Sequence, residues 1–138
     1  MLNSPVLNAD PKRFSAEMRL MIQRVYELDH NGRAEVMKAL EEVCLNRSWR
    51  LLAAHIRTKH LHLVVDAEER PERVMTALKA YASRRLNRIE AEGRNRRRWA
   101  RHGSTRWLWT REAVSAAIRY VLEEQGAPME VFQASTAP

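Results

Sequence analysis

Two short apolar runs, SWRLLAAHI and HLHLVVD, separated only by Arg57, Thr58 and Lys59, constrain this chain more than any other stretch. Each run is too short for a buried helix, and the polar break between them is the length of a turn, so residues 48–66 read as a β-hairpin. A strand alternates faces with period two. His60, His62 and Val64 therefore project one way, and Leu61, Leu63 and Val65 the other. One face seeks a core, while the other carries two imidazoles roughly 6 to 7 Å apart at the backbone. Imidazoles at that spacing can converge on one metal ion. They can equally be two hydrogen-bonded histidines on the solvent side of a sheet, and the pair alone leaves both readings open.

The flanking segments supply helices. Asp10 and Pro11 resemble a helix start, and Phe14, Met18, Met21, Ile22 and Val25 recur at helical spacing, which predicts a first helix. A second follows Asp29 and Asn31, with Val36, Leu40, Val43 and Cys44 as its buried stripe, and stops near Asn46. Pro71 opens another through Val74, Leu78, Tyr81, Ala82 and Leu86. The stretch RIEAEGRNRRRWARHGSTRWLWT has no helical period and reads as a loop leading into a short strand at Trp107 to Trp109. Thr110 can cap a last helix, REAVSAAIRYVLEEQ, which Gly126 ends, and a short strand at Glu130 to Phe132 follows. A hairpin interleaved with amphipathic helices, without a βαβ repeat, predicts an α+β fold: an antiparallel sheet with helices packed on one face, which leaves His60 and His62 on the open one.

At 138 residues the chain fits one domain, 1–138, with residues 1–10 and 133–138 expected to fray. The single Cys44 makes no internal disulfide, and no apolar segment is long enough to span a membrane, so the expected compartment is the cytoplasm. There are 24 Lys and Arg against 17 Asp and Glu, a formal charge of +7, carried mostly by arginine. Arginine's planar fork of donors matches phosphate oxygens, which points to nucleic acid. Nine of those cations, Arg84, Arg85, Arg88, Arg94, Arg96, Arg97, Arg98, Arg101 and Arg106, lie in one segment with Trp99 among them. The arginines there, Arg88 apart, are the expected phosphate contacts, and Trp99 is the expected stacking platform for an unpaired base. Trp109, just before a helix, is expected in the core.

On the last helix Val114, Ala117, Ile118 and Val121 form the core stripe, with Tyr120 and Glu124 one turn apart on its flank. A tyrosine so placed is ordinarily part of amphipathic packing. Tyr81, in phase with Val74 and Leu78, is expected to be core.

The order of these features, His60-Leu61-His62 on a strand, a helix, an Arg/Trp segment and a late helix bearing Tyr120, resembles the single-tyrosine HUH (His, hydrophobic, His) endonucleases. These are the small insertion-sequence transposases and the REP-associated tyrosine transposases, and the similarity runs from about Tyr26 to Phe132. The resemblance implies a ferredoxin-like fold and a metal-dependent strand transferase acting on single-stranded or hairpin DNA. His60 and His62 would hold a divalent metal, Tyr120 would attack the scissile phosphate to leave a 5′-phosphotyrosine, and Glu124, with Gln125 as its alternative, would be the third ligand. A two-His, one-carboxylate set suits Mg or Mn. Lys59 stands where such relatives commonly have Asn. They also normally begin with a strand beside the histidine strand, whereas MLNSPVLNADP offers none. The chain is therefore expected to lack that strand, as a truncated copy or as one that a second copy completes in a homodimer by strand addition. A different class of function follows from the same gap: a non-catalytic nucleic-acid-binding domain that kept the Arg/Trp surface. A metal-dependent hydrolase of small phosphoesters would leave Tyr120 without a role.

Overall fold

The computed structural model describes residues 13–90 and 96–135, apart from the His102 side chain. Its elements, in chain order, are β1 (Phe14–Ile22), α1 (His30–Arg47), β2 (Arg50–Ile56), β3 (His60–Ala67), α2 (Pro71–Ile89), β4 (Trp99–Leu108), α3 (Arg111–Glu123) and β5 (Glu130–Gln133). The strands form one sheet in the order β4-β1-β3-β2-β5, and these neighbours pair antiparallel. The expected α+β class is correct.

The first element differs from expectation. Residues 14–22 form a strand, not a helix, and the strand is not missing: it pairs with β3 on one side and β4 on the other. Ala16, Met18, Leu20 and Ile22 are buried, and Glu17, Arg19 and Met21 alternate with them. FSAEMRLMI also satisfies the helical spacing, and its Met, Leu, Glu and Arg residues favour helices. Ladder hydrogen bonds on both edges outweigh that propensity. The expected helix start at Asp10 and Pro11 lies outside the described residues.

The second correction concerns β4, which runs for ten residues where a loop and a three-residue strand were expected. Among the described residues this segment pairs with β1, and five of its ten residues, Arg101, His102, Ser104, Thr105 and Arg106, are polar or cationic, so no apolar alternation announces it. Gly103 has a steric reason to be there. A Cβ on it would come within 2.8 Å of the Arg19 carbonyl oxygen and 3.1 Å of Met75 Sδ.

Both faces of the sheet are covered in part. α1 and α2 pack on the face that includes Met18, Leu20, Leu61, Leu63 and Val65. α3 crosses the opposite face, where Val114, Ala117 and Val121 meet Leu52, Ala53, Val64 and Leu108. A register shift between Leu51 and Ala53 lets the consecutive residues Leu52 and Ala53 both join the α3 cluster. The face bearing His60 and His62 is thus half roofed by α3, and the roof delivers the last helix to the histidines. α3 is capped by Thr110, whose hydroxyl accepts from Ala113 N, and α1 by Asp29, which accepts from Gly32 N.

Lys59, the atypical residue before the histidine strand, has a structural task. Its ammonium donates to the carbonyls of Gln23, Arg24 and Tyr26 at 3.1, 2.8 and 2.6 Å, tying the β1–α1 connection to the β2–β3 turn. Lys59→Met keeps the aliphatic stem and strips the donors from three carbonyls. It should cost about 1.5 to 3 kcal/mol in urea unfolding, and a loss under about 0.5 kcal/mol would mean that water replaces the ammonium without penalty.

Candidate active site

The β1/β3 register sets Arg19 opposite His62 and Met21 opposite His60. β4 then sets Glu17 opposite Arg106 and Arg19 opposite Ser104. Strand alternation therefore places Glu17, Arg19, His60, His62 and Arg106 on the α3 side of the sheet. Tyr120, on the exposed flank of α3, comes down against His62: the rings lie 5.4 Å apart at 76°, edge to face. Tyr120 is 41% exposed, so the residue is partly open to solvent while its ring rests against His62. Glu17, Arg19, His62, Ser104, Arg106 and Tyr120 line one cleft of about 410 Å³.

Each histidine has its own oxygen partner. His62 Nε2–H donates to Glu17 Oε2 at 2.5 Å, and Glu17 Oε1 accepts from Arg106 Nε and Nη2 at 3.0 and 2.6 Å. His60 Nε2 lies 3.3 Å from Gln125 Oε1. Of the two residues anticipated as a third ligand, Gln125 is the one that meets His60; Glu124 is exposed at the C-terminal cap of α3. Burial holds the proton affinity of His60 below the ordinary histidine range, and the charges of Arg19, His62 and Arg57 act in the same direction. A neutral imidazole is the form that binds metal. Among the described residues no three His, Cys, Asp or Glu side chains are gathered into one coordination sphere. His60 and His62 on one strand face, with the Gln125 amide oxygen beside His60, are the residues that would hold a divalent ion.

The sequence pattern did not single out Glu17, Arg19, Ser104 or His55. The first two follow from reading β1 with period two, since they are the residues out of phase with Met18 and Leu20. His55, opposite His62 on β2, is buried, and its Nε2 accepts from the Met129 backbone N–H at 3.0 Å. It anchors the segment entering β5 to the site.

The arginine segment divides by location. Arg98 is only 2% exposed, and its guanidinium binds Glu90 at 2.7 Å and lies over the Tyr26 ring. It is interior structure, a correction to its expected role at the nucleic-acid surface. Tyr26 in turn donates to Glu90, and burial, reinforced by that carboxylate, pushes its phenol up to about 12. Arg85 is engaged with Glu35 and Glu42, bracing α2 against α1. Arg84 covers Tyr81, which is half-buried beside the core. Arg96, Arg97 and Arg101 are exposed, with Arg96 also stacked on Tyr26, and Arg106 reaches into the cleft. Arg94 lies outside the described residues.

The two tryptophan expectations are reversed. Trp99 packs against the core and donates through Nε1 to Ser83 Oγ, so it is not a free stacking platform. Trp109, expected in the core, is 73% exposed and stacks on Trp107 with parallel rings 5.1 Å apart. The i, i+2 alternation at the end of β4 puts Leu108 rather than Trp109 under α3.

Comparison with known proteins is consistent with this geometry. The family model described as transposase IS200 like matches residues 18–121. Among solved structures, that of a REP-associated tyrosine transposase bound to a REP hairpin is similar with a TM-score of 0.64 at 12% identity. The match covers 80% of this chain and 66% of that one. A Deinococcus radiodurans protein assigned as a transposase is similar with a TM-score of 0.59 at 15% identity, covering 88% and 97% of the two chains. No curated protein sequence matches the chain significantly. Among the described residues no helix is long and apolar enough to cross a membrane.

The His55 geometry sets a pH dependence. Burial lowers its pKa below 6.5, so the unfolded chain binds the proton first. Stability should fall as the pH drops through about 6.5 toward the folded value, because protonation removes the acceptor that Met129 N–H needs. His55→Gln, whose amide oxygen can take the place of Nε2, should show a shallower loss of unfolding free energy between pH 7.5 and 5. An unchanged slope would assign the acid sensitivity to other groups.

Proposed function

Because the chain belongs to the IS200-like transposase family, we propose that it is a metal-dependent single-stranded DNA endonuclease and strand transferase with Tyr120 as its nucleophile. The observation that carries this reading is the contact of Tyr120 with His62, which puts a partly exposed phenol against one of two same-face imidazoles within one chain.

His60 and His62 would hold Mg or Mn, with Gln125 or Glu124 from the end of α3 as third ligand. When bound, the ion polarises the scissile phosphate and favours its developing charge. Tyr120 Oη attacks phosphorus and loses its proton as the new bond forms. The P–O3′ bond breaks, and the departing oxygen takes up a proton as a free 3′-hydroxyl. The 5′-phosphotyrosine retains the energy of the broken bond, so a 3′-hydroxyl can reverse the step without a nucleotide cofactor. A phenol of pKa about 10 is ionised to roughly one part in a thousand at pH 7, so cationic surroundings matter. Arg19 and Arg106 line the cleft beside Tyr120 and can offset the charge of the attacked phosphate.

DNA would approach over the exposed arginines. Arg97 lies close to Gln23, just beyond the end of β1 where Met21 is opposite His60, Arg96 lies over Tyr26, and Arg19 and Arg106 line the cleft with His62. Single-stranded DNA, including the loop or flank of a hairpin, is the partner this surface fits. The case for a non-catalytic binding domain rested on an absent first strand, and β1 removes that ground. No second copy is needed to supply a strand at that place, so the strand-addition argument for a homodimer also lapses.

Tyr120→Phe keeps the ring against His62 and deletes the attacking oxygen. With single-stranded DNA and Mn, the parent should form a denaturation-resistant adduct that peptide mass spectrometry maps to Tyr120, and the variant should form none. An adduct on Tyr81, or undiminished cleavage by Tyr120→Phe, would reverse the assignment. Arg96→Ala and Arg97→Ala together should lower the log-log salt slope of single-strand binding by about 1.4, whereas Arg98→Ala should chiefly lower stability. If binding loses its salt dependence in Arg98→Ala alone, the division of the arginine segment is wrong.

A further inference from the structure

Where β4 runs out toward α3, two indoles stand stacked at the surface. Trp107 is half-buried and Trp109 is 73% exposed, and their rings lie parallel within 1° at 5.1 Å between centroids. Phe14 extends the group on the other side, edge-on to Trp107 at 4.7 Å and 88°. Resting on the reading of the chain as an enzyme of single-stranded DNA, we propose that the exposed indole of Trp109 is the platform on which an unpaired base of the bound strand stacks, the role that the sequence pattern assigned to Trp99.

The way the ring is held is the first argument. Trp107 lies opposite Ala16 on the α1/α2 side of the sheet. The backbone stays extended through Thr110, so Trp109 follows Trp107 while Leu108, between them, is buried under α3. Trp107 supports one face of the Trp109 ring, and the rest of the residue is mostly in solvent. A base that stacks there adds a member to an existing stack and meets a ring already ordered, so little side-chain freedom is lost on binding. Every base has a π-face, so such a platform favours unpaired bases without reading their sequence.

Charge and reach are the second. Arg106 and Arg111 flank the two tryptophans in a chain of net charge +7, and the Arg106 side chain is 67% exposed. A flat apolar ring set among cations is complementary to a polyanion that carries flat rings, and less so to an apolar protein surface. Arg106 lines the cleft with Tyr120, and Trp109 follows it by three residues, about 10 Å at the rise of a strand. β4 ends the sheet order, so a DNA strand with a phosphate at Arg106 can pass over this edge and lay a nearby base on Trp109. Trp99, packed against the core and bonded to Ser83, offers no such face.

The test compares the full chain, Trp109→Ala and Trp109→Phe for binding to mixed-sequence single-stranded DNA and to an abasic sugar-phosphate strand of the same length. Trp109→Ala should weaken binding to the base-bearing strand roughly 5- to 100-fold and leave the abasic strand and the salt dependence unchanged, because only a base can stack. Trp109→Phe keeps a flat ring and should retain most of the affinity. Parent-like affinity of a folded Trp109→Ala for the base-bearing strand would overturn the proposal and leave the cleavage reading standing. Equal loss on both strands would overturn it too, since it would show a general disturbance of the surface. A parent dimer that Trp109→Ala separates, with DNA affinity kept, would give this face to a second copy instead. If the parent chain binds no single-stranded DNA, the platform and the cleavage reading fall together.

Discussion

The doubly paired strand β1 is the constraint from which the rest of the molecule follows. It lies between β3 and β4, and its two ladders bring residues far apart in sequence, Glu17, His62 and Arg106, into one row across the sheet. The same strand buries Met18 and Leu20 against the α1/α2 layer on its other face. One period-two segment therefore serves core and site together. A slip of one residue would exchange the two sets and destroy both.

The site has a second support in α3. Its apolar stripe seats on Leu52, Ala53, Val64 and Leu108, and the bulge in β2 widens that seat. With the stripe fixed, helical geometry leaves Tyr120 at the edge of the roof, over His62, and carries the chain to Gln125 beside His60. The placement of Tyr120 over His62 is thus a by-product of core packing on this face. That is why a phenylalanine at position 120 should leave the fold intact.

The histidine hairpin is legible in the sequence because a polar three-residue break divides two short apolar runs, and α1, α2 and α3 because start or cap residues bound a single helical period. β1 is not, since Phe14, Met18, Met21, Ile22 and Val25 satisfy a helical period while Ala16, Met18, Leu20 and Ile22 satisfy that of a strand. Only the slot between β3 and β4 decides between them. β4 was hidden by its own chemistry, for Arg101, Gly103, Ser104, Thr105 and Arg106 interrupt its apolar residues and leave no apolar alternation. The misreading of β1 also concealed Glu17 and Arg19, and it suggested a missing element that is in place. The arginine segment was correctly seen as clustered, but composition does not separate Arg98, which neutralises Glu90 inside the protein, from Arg96 and Arg97 outside it. The exchange of Trp99 and Trp109 has the same origin: which tryptophan is buried depends on the phase of β4.

The α3-side cleft of the sheet is where we propose that a divalent ion and the nucleophile meet. Substoichiometric Mn added to the isotope-labelled protein tests this most directly, because the paramagnetic ion broadens nearby amide resonances in proportion to their closeness. Broadening is expected to centre on Glu17, His60, His62 and Tyr120, with the α1 and α2 surfaces unaffected. Broadening centred on the acidic turn at Glu68, Glu69 and Glu72, or spread without a centre, would contradict it.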